Sequence, residues 1–135
     1  MEIHGTVVPK LDRDLLEKSG IDIHTYDALL HVFEAGKQGV RMADLAAAVV
    51  ISKSGITSLV DRLEAGGSVQ RNPDPDDRRA TRITLTPLGE ETFRAAAQVH
   101  LASIEAHFAS LITDEEAQVI SKTLDRVRCD GETQA

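Results

Sequence analysis

The sequence has little cysteine, few aromatic residues and no long hydrophobic run. Its 135 residues include no tryptophan, one tyrosine, three phenylalanines and one cysteine. The single Cys129 excludes an internal disulfide and a cysteine-rich zinc site. No apolar run approaches the roughly 20 residues of a transmembrane helix, and the first residues lack the basic and apolar stretches of a secretory signal. We therefore expect one cytoplasmic, soluble domain with no membrane partner.

The charge is acidic overall but unevenly distributed. Fifteen basic and 22 acidic residues give a net charge of −7, which alone does not indicate a nucleic-acid partner. Residues 52–82 contain six basic and five acidic residues, a net charge of +1, and the rest of the chain carries −8. The acidity is thus concentrated outside this segment, where it can repel DNA from the wrong faces.

Most of the chain has the apolar periodicity of helices. Helices are predicted at about 11–18, 22–35, 42–49, 52–65, 87–111 and 113–128. Because Gly5 and Pro9 disfavour helix, the first helix is expected to be short, beginning near Leu11. Residues 129–135 are expected to form a flexible tail. No repeat and no catalytic constellation is present, so we do not expect an enzyme.

Between the fourth and fifth helices the pattern changes to that of a β-hairpin. Residues 68–72 are suited to an extended strand, and residues 82–85 alternate polar and apolar side chains. The intervening Pro73-Asp-Pro-Asp-Asp77 is rich in turn-forming residues. These features predict a hairpin with an exposed polar tip.

Residues 42–64 have the pattern of a helix-turn-helix. The second of these helices presents slim polar side chains and two cations, which suit close approach to base edges and phosphates in a major groove. We predict DNA contacts from Ser52, Lys53, Ser54, Thr57, Ser58 and Arg62. Within this set, Lys53 and Arg62 are assigned to phosphates, and Ser54, Thr57 and Ser58 to base edges.

Arginines lie in or beside the hairpin. Arg71, Arg78, Arg79 and Arg82 are predicted DNA contacts, with Arg82 on a phosphate and Arg78 or Arg79 in the minor groove. A helix-turn-helix followed by a basic hairpin defines a winged helix. The predicted fold class is therefore mainly α with a small β-hairpin wing.

Several motifs resemble the MarR (multiple antibiotic resistance regulator) family. They are Met42-Ala-Asp-Leu-Ala, the stretch 52–67, Arg71-Asn-Pro-Asp-Pro-Asp-Asp-Arg-Arg79 and Ile83-Thr-Leu-Thr-Pro-Leu-Gly89. The resemblance implies a single domain over residues 1–135. Its winged-helix, DNA-binding part would span 22–85, and the helices at 10–20 and 86–128 would serve dimerisation.

The resemblance also implies a function. It implies a homodimeric transcription regulator, most simply a repressor, on a palindromic double-stranded operator, relieved by a small aromatic or anionic effector. Asp77 of the wing motif would brace the arginines, and Tyr26 and His31 would line the effector pocket. No cofactor is expected.

Two alternatives stay open at this point. His24 and His31, like His100 and His107, are seven residues apart and share a helix face, which is compatible with a metal-responsive regulator. No Cys or Glu stands beside them at a convincing ligand spacing, so no metal site is assigned. The second alternative is a winged-helix interaction module that has lost DNA binding.

Overall fold

The computed structural model describes the backbone of residues 2–133 and the side chains of residues 2 and 4–129. The helices in this range are α1 (Ile3–Ser19), α2 (Ile23–Ala35), α3 (Met42–Ala48), α4 (Lys53–Ala65), α5 (Pro87–His107) and α6 (Asp114–Thr133). The strands are β1 (Val40–Arg41), β2 (Val69–Pro73) and β3 (Thr81–Leu85). This arrangement confirms the predicted fold class, mainly α with a small β wing.

The sheet has the order β1-β3-β2, with both neighbouring pairs antiparallel. β2 and β3 form the predicted hairpin, with Val69 opposite Leu85 and Asn72 opposite Arg82. β1 was not predicted, because two residues are too few to show an alternating pattern. It adds Arg41 opposite Arg82, on the side of β3 away from β2.

One apolar core lies between the helices and the sheet. The fully buried side chains come from five helices and from the hairpin strands. The largest of them are Leu15, Leu29, Leu45, Ile56, Leu59 and Ile83. Because Leu45, Ile56 and Leu59 belong to the helix-turn-helix and Ile83 belongs to the hairpin, the two parts of the predicted interface share this core.

The first helix is longer than expected. α1 begins at Ile3 and contains Pro9, so the prediction that Gly5 and Pro9 would break it upstream of Leu11 is wrong. Proline removes one backbone donor, and packing along the helix offsets that loss. α1 lies along α5, where Asp14 accepts hydrogen bonds from Ser103 at 2.6 Å and His107 at 3.0 Å. The Ser103 hydrogen bond is the main cause of the lowered pKa of Asp14.

The C-terminal boundaries also differ from the prediction. α5 ends at His107, and Ala109–Leu111 form a separate 3-10 turn instead of its last residues. α6 continues to Thr133, so a flexible tail beginning at Cys129 is wrong for 129–133; residues 134 and 135 lie outside the described residues. The capping box between Thr113 and Glu116 is present, with Thr113 Oγ1 accepting from the Glu116 N–H at 3.2 Å.

In the described range, no single helix has both the length and the apolar character needed to cross a bilayer. By length and composition alone, α3 and α4 would qualify only as a pair bent by 112°.

Candidate nucleic-acid interface

Helix α4 is defined by its N-terminal cap and by one buried stripe. The Ser52 Oγ accepts a hydrogen bond from the Gly55 N–H at 3.1 Å, as an N-cap serine does. Ile56, Leu59 and Val60 are buried on the inner side. Ser52 was predicted to contact DNA, and the structure engages its hydroxyl in this cap.

The outer half of α4 carries the remaining predicted contacts. Lys53, Ser54, Thr57, Ser58 and Arg62 are all exposed there. At about 100° per residue, Lys53 and Arg62 lie about 180° apart, at the two edges of the exposed half, with the slim polar residues between them. Such a face can read base edges with its centre and contact phosphates of both strands with its edges.

α3 and α4 meet at a bend of 112°, which is the geometry of a helix-turn-helix. The connection is tight, with the Ile51 N–H donating to the Val49 carbonyl at 2.7 Å. Leu45 and Val49 are buried in the same cluster as the inner side of α4. The predicted helix-turn-helix is therefore formed, with α4 presenting its polar half outward.

The tip of the hairpin presents two arginines. The Asp77 carboxylate accepts the Arg79 backbone N–H at 2.9 Å, and the Asp77 carbonyl accepts the Ala80 N–H at 3.0 Å. Arg78 and Arg79 are exposed at this turn. Both predicted minor-groove residues therefore have exposed side chains at the tip of the hairpin.

Asp74, not Asp77, braces the wing. Its side chain is fully buried, and its Oδ2 accepts hydrogen bonds from Arg41 Nε and Arg82 Nε, both at 2.8 Å. Its Oδ1 accepts the backbone N–H groups of Asp76 at 2.8 Å and Asp77 at 3.2 Å. The Asp76 N–H first, and then the two guanidinium groups, hold the pKa of the Asp74 carboxyl well below its usual range.

This brace corrects one of the sequence predictions and adds intrachain bonds to another predicted residue. The role assigned to Asp77 is performed by Asp74, and Asp77 bonds to the backbone of the tip instead. Arg82 was assigned to a DNA phosphate. In the structure its Nε is bound to Asp74, and its Nη1 donates to the carbonyls of Gln38 and Gly39, each at 3.4 Å.

Arg71, another predicted DNA contact, also has bonds within the chain. It joins β2 to the exposed side of α4, with its guanidinium bonded to Asp61 at 2.5 Å and to Glu64. The Arg71 backbone N–H donates to Glu64 Oε1 at 3.1 Å. The Asp61 hydrogen bond is the main cause of the raised pKa of Arg71. This arginine therefore bonds two carboxylates on the face of α4 and offsets one of their two negative charges.

A cleft of about 550 Å³ separates the helix-turn-helix from the wing. Thr57 lines it from α4, Arg79 and Asp77 line it from the wing, and Arg41 and Arg71 line it from the strands. Arg41 was not predicted, because a lone arginine between a glycine-rich turn and a short helix carries no motif. The cleft brings it to the same surface as the predicted contacts.

The two residues proposed for an effector pocket differ in setting. Tyr26 is buried, with its ring 5.6 Å from that of Phe93 and 4.6 Å from that of His100, and burial raises the pKa of its phenol. His31 is partly exposed, with its Nδ1 3.8 Å from Glu34. The structure does not bring their side chains into contact with each other.

The histidines predicted to share helix faces have separate partners. His107 bonds to Asp14, and His31 lies beside Glu34. The His100 ring contacts that of Tyr26 at a tilt of 45°, and burial lowers the pKa of its imidazole. Among the side chains that the structure describes, no group of three His, Cys, Asp or Glu residues is arranged to hold a metal ion.

A helix-turn-helix followed by a braced, arginine-tipped hairpin defines a winged-helix protein. Comparison with known proteins agrees with this class. Residues 19–80 match the model of the MarR family. The crystal structure of AbsC, a MarR family transcriptional regulator from Streptomyces coelicolor, superposes with a TM-score of 0.85 at 30% sequence identity, covering 98% of this chain and 88% of AbsC. The chain belongs to the MarR family of transcriptional regulators, which are not enzymes.

Two further solved structures are similar. Sco3205, a MarR family transcriptional regulator from Streptomyces coelicolor solved in complex with DNA, has a TM-score of 0.85 at 28% identity, covering 96% of this chain and 81% of Sco3205. CouR from Rhodococcus jostii RHA1, solved bound to p-coumaroyl-CoA, has a TM-score of 0.79 at 29% identity, covering 93% of this chain and 85% of CouR.

Proposed function

We propose that this chain is a dimeric, DNA-binding repressor that occupies a palindromic operator and is released by a small effector. In this proposal α4 reads the major groove and the wing contacts the adjacent minor groove. The complex of Sco3205 with DNA supports the proposal that this chain binds DNA, because Sco3205 shares the fold over most of its length. The cytoplasmic location belongs to this proposal and is consistent with a DNA-binding regulator fold.

One observation carries the proposal. Lys53 and Arg62 on α4 and Arg78 and Arg79 on the wing are exposed, and none of them forms an ion pair with a residue that the structure describes. Other arginines of the same region are bound to carboxylates within the chain. The unpaired cations are therefore available to phosphates and to a minor groove.

Exposed apolar residues on α6 support the dimer. Ile120, Leu124 and Val127 are exposed by 39%, 62% and 65%, and their spacings of four and three residues place them on one side of the helix. A second copy of the chain would cover this stripe. Light scattering during size exclusion should give a mass of about twice 14.6 kDa.

The effector is proposed as an aromatic or anionic small molecule. Support comes from CouR, whose structure contains p-coumaroyl-CoA. Because Tyr26 is buried, any pocket that includes it would have to open between α2 and α5. The roles of Tyr26 and His31 remain predictions.

The function is tested by selecting binding sites from random duplex DNA and measuring affinity for the selected sequence. Arg79→Ala should weaken binding to that site by about 1–3 kcal/mol, as loss of a specific contact does. Lys53→Ala should weaken all duplexes and reduce the slope of affinity against salt by about one unit.

Arg94→Ala is the matched control. Arg94 is an exposed arginine on α5, bonded to Glu90 and stacked over Phe33, so its loss changes the total charge equally without altering the proposed interface. Failure to enrich any sequence, with no duplex binding even at low salt, would refute the function. That result would favour an interaction module.

A further inference from the structure

Arg41 is held by Asp74 through only one of its donor groups. Its Nε donates to Asp74 Oδ2 at 2.8 Å, and its Nη groups have no hydrogen bond to any residue that the structure describes. The side chain is 39% exposed and lines the cleft between α4 and the wing. The carboxylate therefore orients the guanidinium and leaves its outer donors facing the cleft.

The brace carries one surplus positive charge. Two guanidinium groups share the single carboxylate of Asp74. Arg82 is 23% exposed and directs its Nη1 to two backbone carbonyls, so its donors are largely used within the chain. Arg41 is the more exposed partner and has donors to spare. The surplus charge is thus presented by Arg41.

Asp74 is the main cause of the raised pKa of Arg41, and the nearby carboxylates of Asp77 and Asp44 add to it. Arg71 is bound by Asp61 and Glu64 outside the brace. Asp77 accepts the Arg79 backbone N–H, and the Arg79 side chain brings a second cation to the cleft. Three guanidinium groups line the cleft, and those of Arg41 and Arg79 are not bound to carboxylates of α4. They suit a phosphate, because guanidinium can donate two parallel hydrogen bonds to its oxygens.

The cleft also lies where a DNA backbone must pass. One sugar–phosphate strand separates a major groove from the adjacent minor groove, and α4 and the wing tip flank the cleft on its two sides. We propose that Arg41, oriented by Asp74, binds the backbone phosphate between the grooves read by α4 and by the wing. The inference rests on the proposed function and adds a contact to it.

The test pairs a charge removal on the protein with a charge removal on the DNA. The selected duplex is made as a series in which one phosphate at a time is replaced by a neutral methylphosphonate. Wild type, Arg41→Gln and Arg94→Gln are titrated against each duplex. Arg41→Gln should bind the unmodified duplex about tenfold more weakly, and its salt slope should fall by about one unit.

The position of the modified phosphate gives the decisive readout. At one phosphate per half-site, neutralisation should weaken wild type and Arg94→Gln severalfold but leave Arg41→Gln almost unchanged, because the contact is already absent. An Arg41 that only supported the wing would lower affinity by the same factor on every duplex, and that result would overturn the proposal. If wild type binds no duplex, the proposed function fails, and this contact fails with it.

Discussion

Arg71 gives the sharpest test of how the structure changes the interpretation of the sequence. Arg71 was predicted to contact DNA, and in the structure it is bonded to Asp61 and Glu64 on the exposed side of α4. We expect Arg71→Gln to lower both stability and DNA affinity. The physical reason for the second loss is repulsion by two exposed carboxylates rather than a missing contact.

The stability loss follows from the exposure of the three side chains. Arg71 is 28% exposed, Asp61 60% and Glu64 40%. Ion pairs in such settings contribute about 0.2–1 kcal/mol each. Losing both should therefore lower the free energy of unfolding by about 1 kcal/mol.

The affinity loss follows from Coulomb's law. A carboxylate about 10 Å from a phosphate costs about 0.4 kcal/mol in water, and one Debye length of salt reduces this to about a third. Arg71→Gln changes the charge of this cluster by one unit, so with several phosphates nearby it should cost about 0.3–0.6 kcal/mol, which corresponds to roughly twofold to threefold weaker binding.

A triple variant separates repulsion from contact. Arg71→Gln combined with Asp61→Asn and Glu64→Gln removes the carboxylates as well as the arginine, and the amide oxygen introduced at position 64 would still accept the backbone N–H at position 71. We expect the triple variant to regain at least wild-type affinity for the selected duplex in a fluorescence anisotropy titration. Affinity that stays low in the triple variant would show that Arg71 contacts DNA and would refute the neutralising role.

Two other predictions concern the supports of the interface. The difference in unfolding free energy between wild type and Asp74→Asn should stay constant from about pH 7 to about pH 5. This difference should narrow as the pH falls below 3.8, the ordinary carboxyl value, because the pKa of Asp74 is lowered in the folded protein. A difference in unfolding free energy that already narrows between pH 7 and pH 5 would contradict this prediction. Gly89→Ala would place a Cβ 1.8 Å from the Ser68 carbonyl oxygen, so it should cost about 3 kcal/mol in urea unfolding at fixed protein concentration. Gly5→Ala is the control, because a Cβ at position 5 meets nothing within 4 Å and should stabilise α1 by up to about 1 kcal/mol. Equal urea midpoints for Gly89→Ala and wild type would refute the clash.

The fold was largely predictable because its signals are local. The stripe of α4, the Ser52 cap and the alternation before Leu85 each fall within one element, where side-chain spacing alone determines the face that is buried. The start of α1 was missed because Pro9 is unfavourable locally and is tolerated only through packing on α5. That compensation comes from residues about ninety positions away, which periodicity cannot register.

The brace shows why the site was predicted less well than the fold. Asp74, Asp76 and Asp77 lie in one turn with the same chemistry, and the turn's backbone alone decides which carboxylate points inward. Arg41 reaches Asp74 across 33 positions of sequence. The sequence therefore does not indicate which of the three aspartates is buried. It also does not indicate that Arg41 pairs with Asp74.

The charge of residues 52–82 has a different meaning once these pairs are known. A net charge of +1 describes a nearly neutral segment, yet three of its five acidic residues, Asp61, Glu64 and Asp74, are bonded to arginines. The arginines in those pairs lie in strands, at positions 41, 71 and 82, whereas those at the hairpin tip stay exposed. Strand arginines beside a carboxylate therefore hold the wing against the helix-turn-helix, and tip arginines are left for the groove. An acidic protein can thus bind DNA through a few unpaired cations, provided that its own carboxylates near the interface are already neutralised.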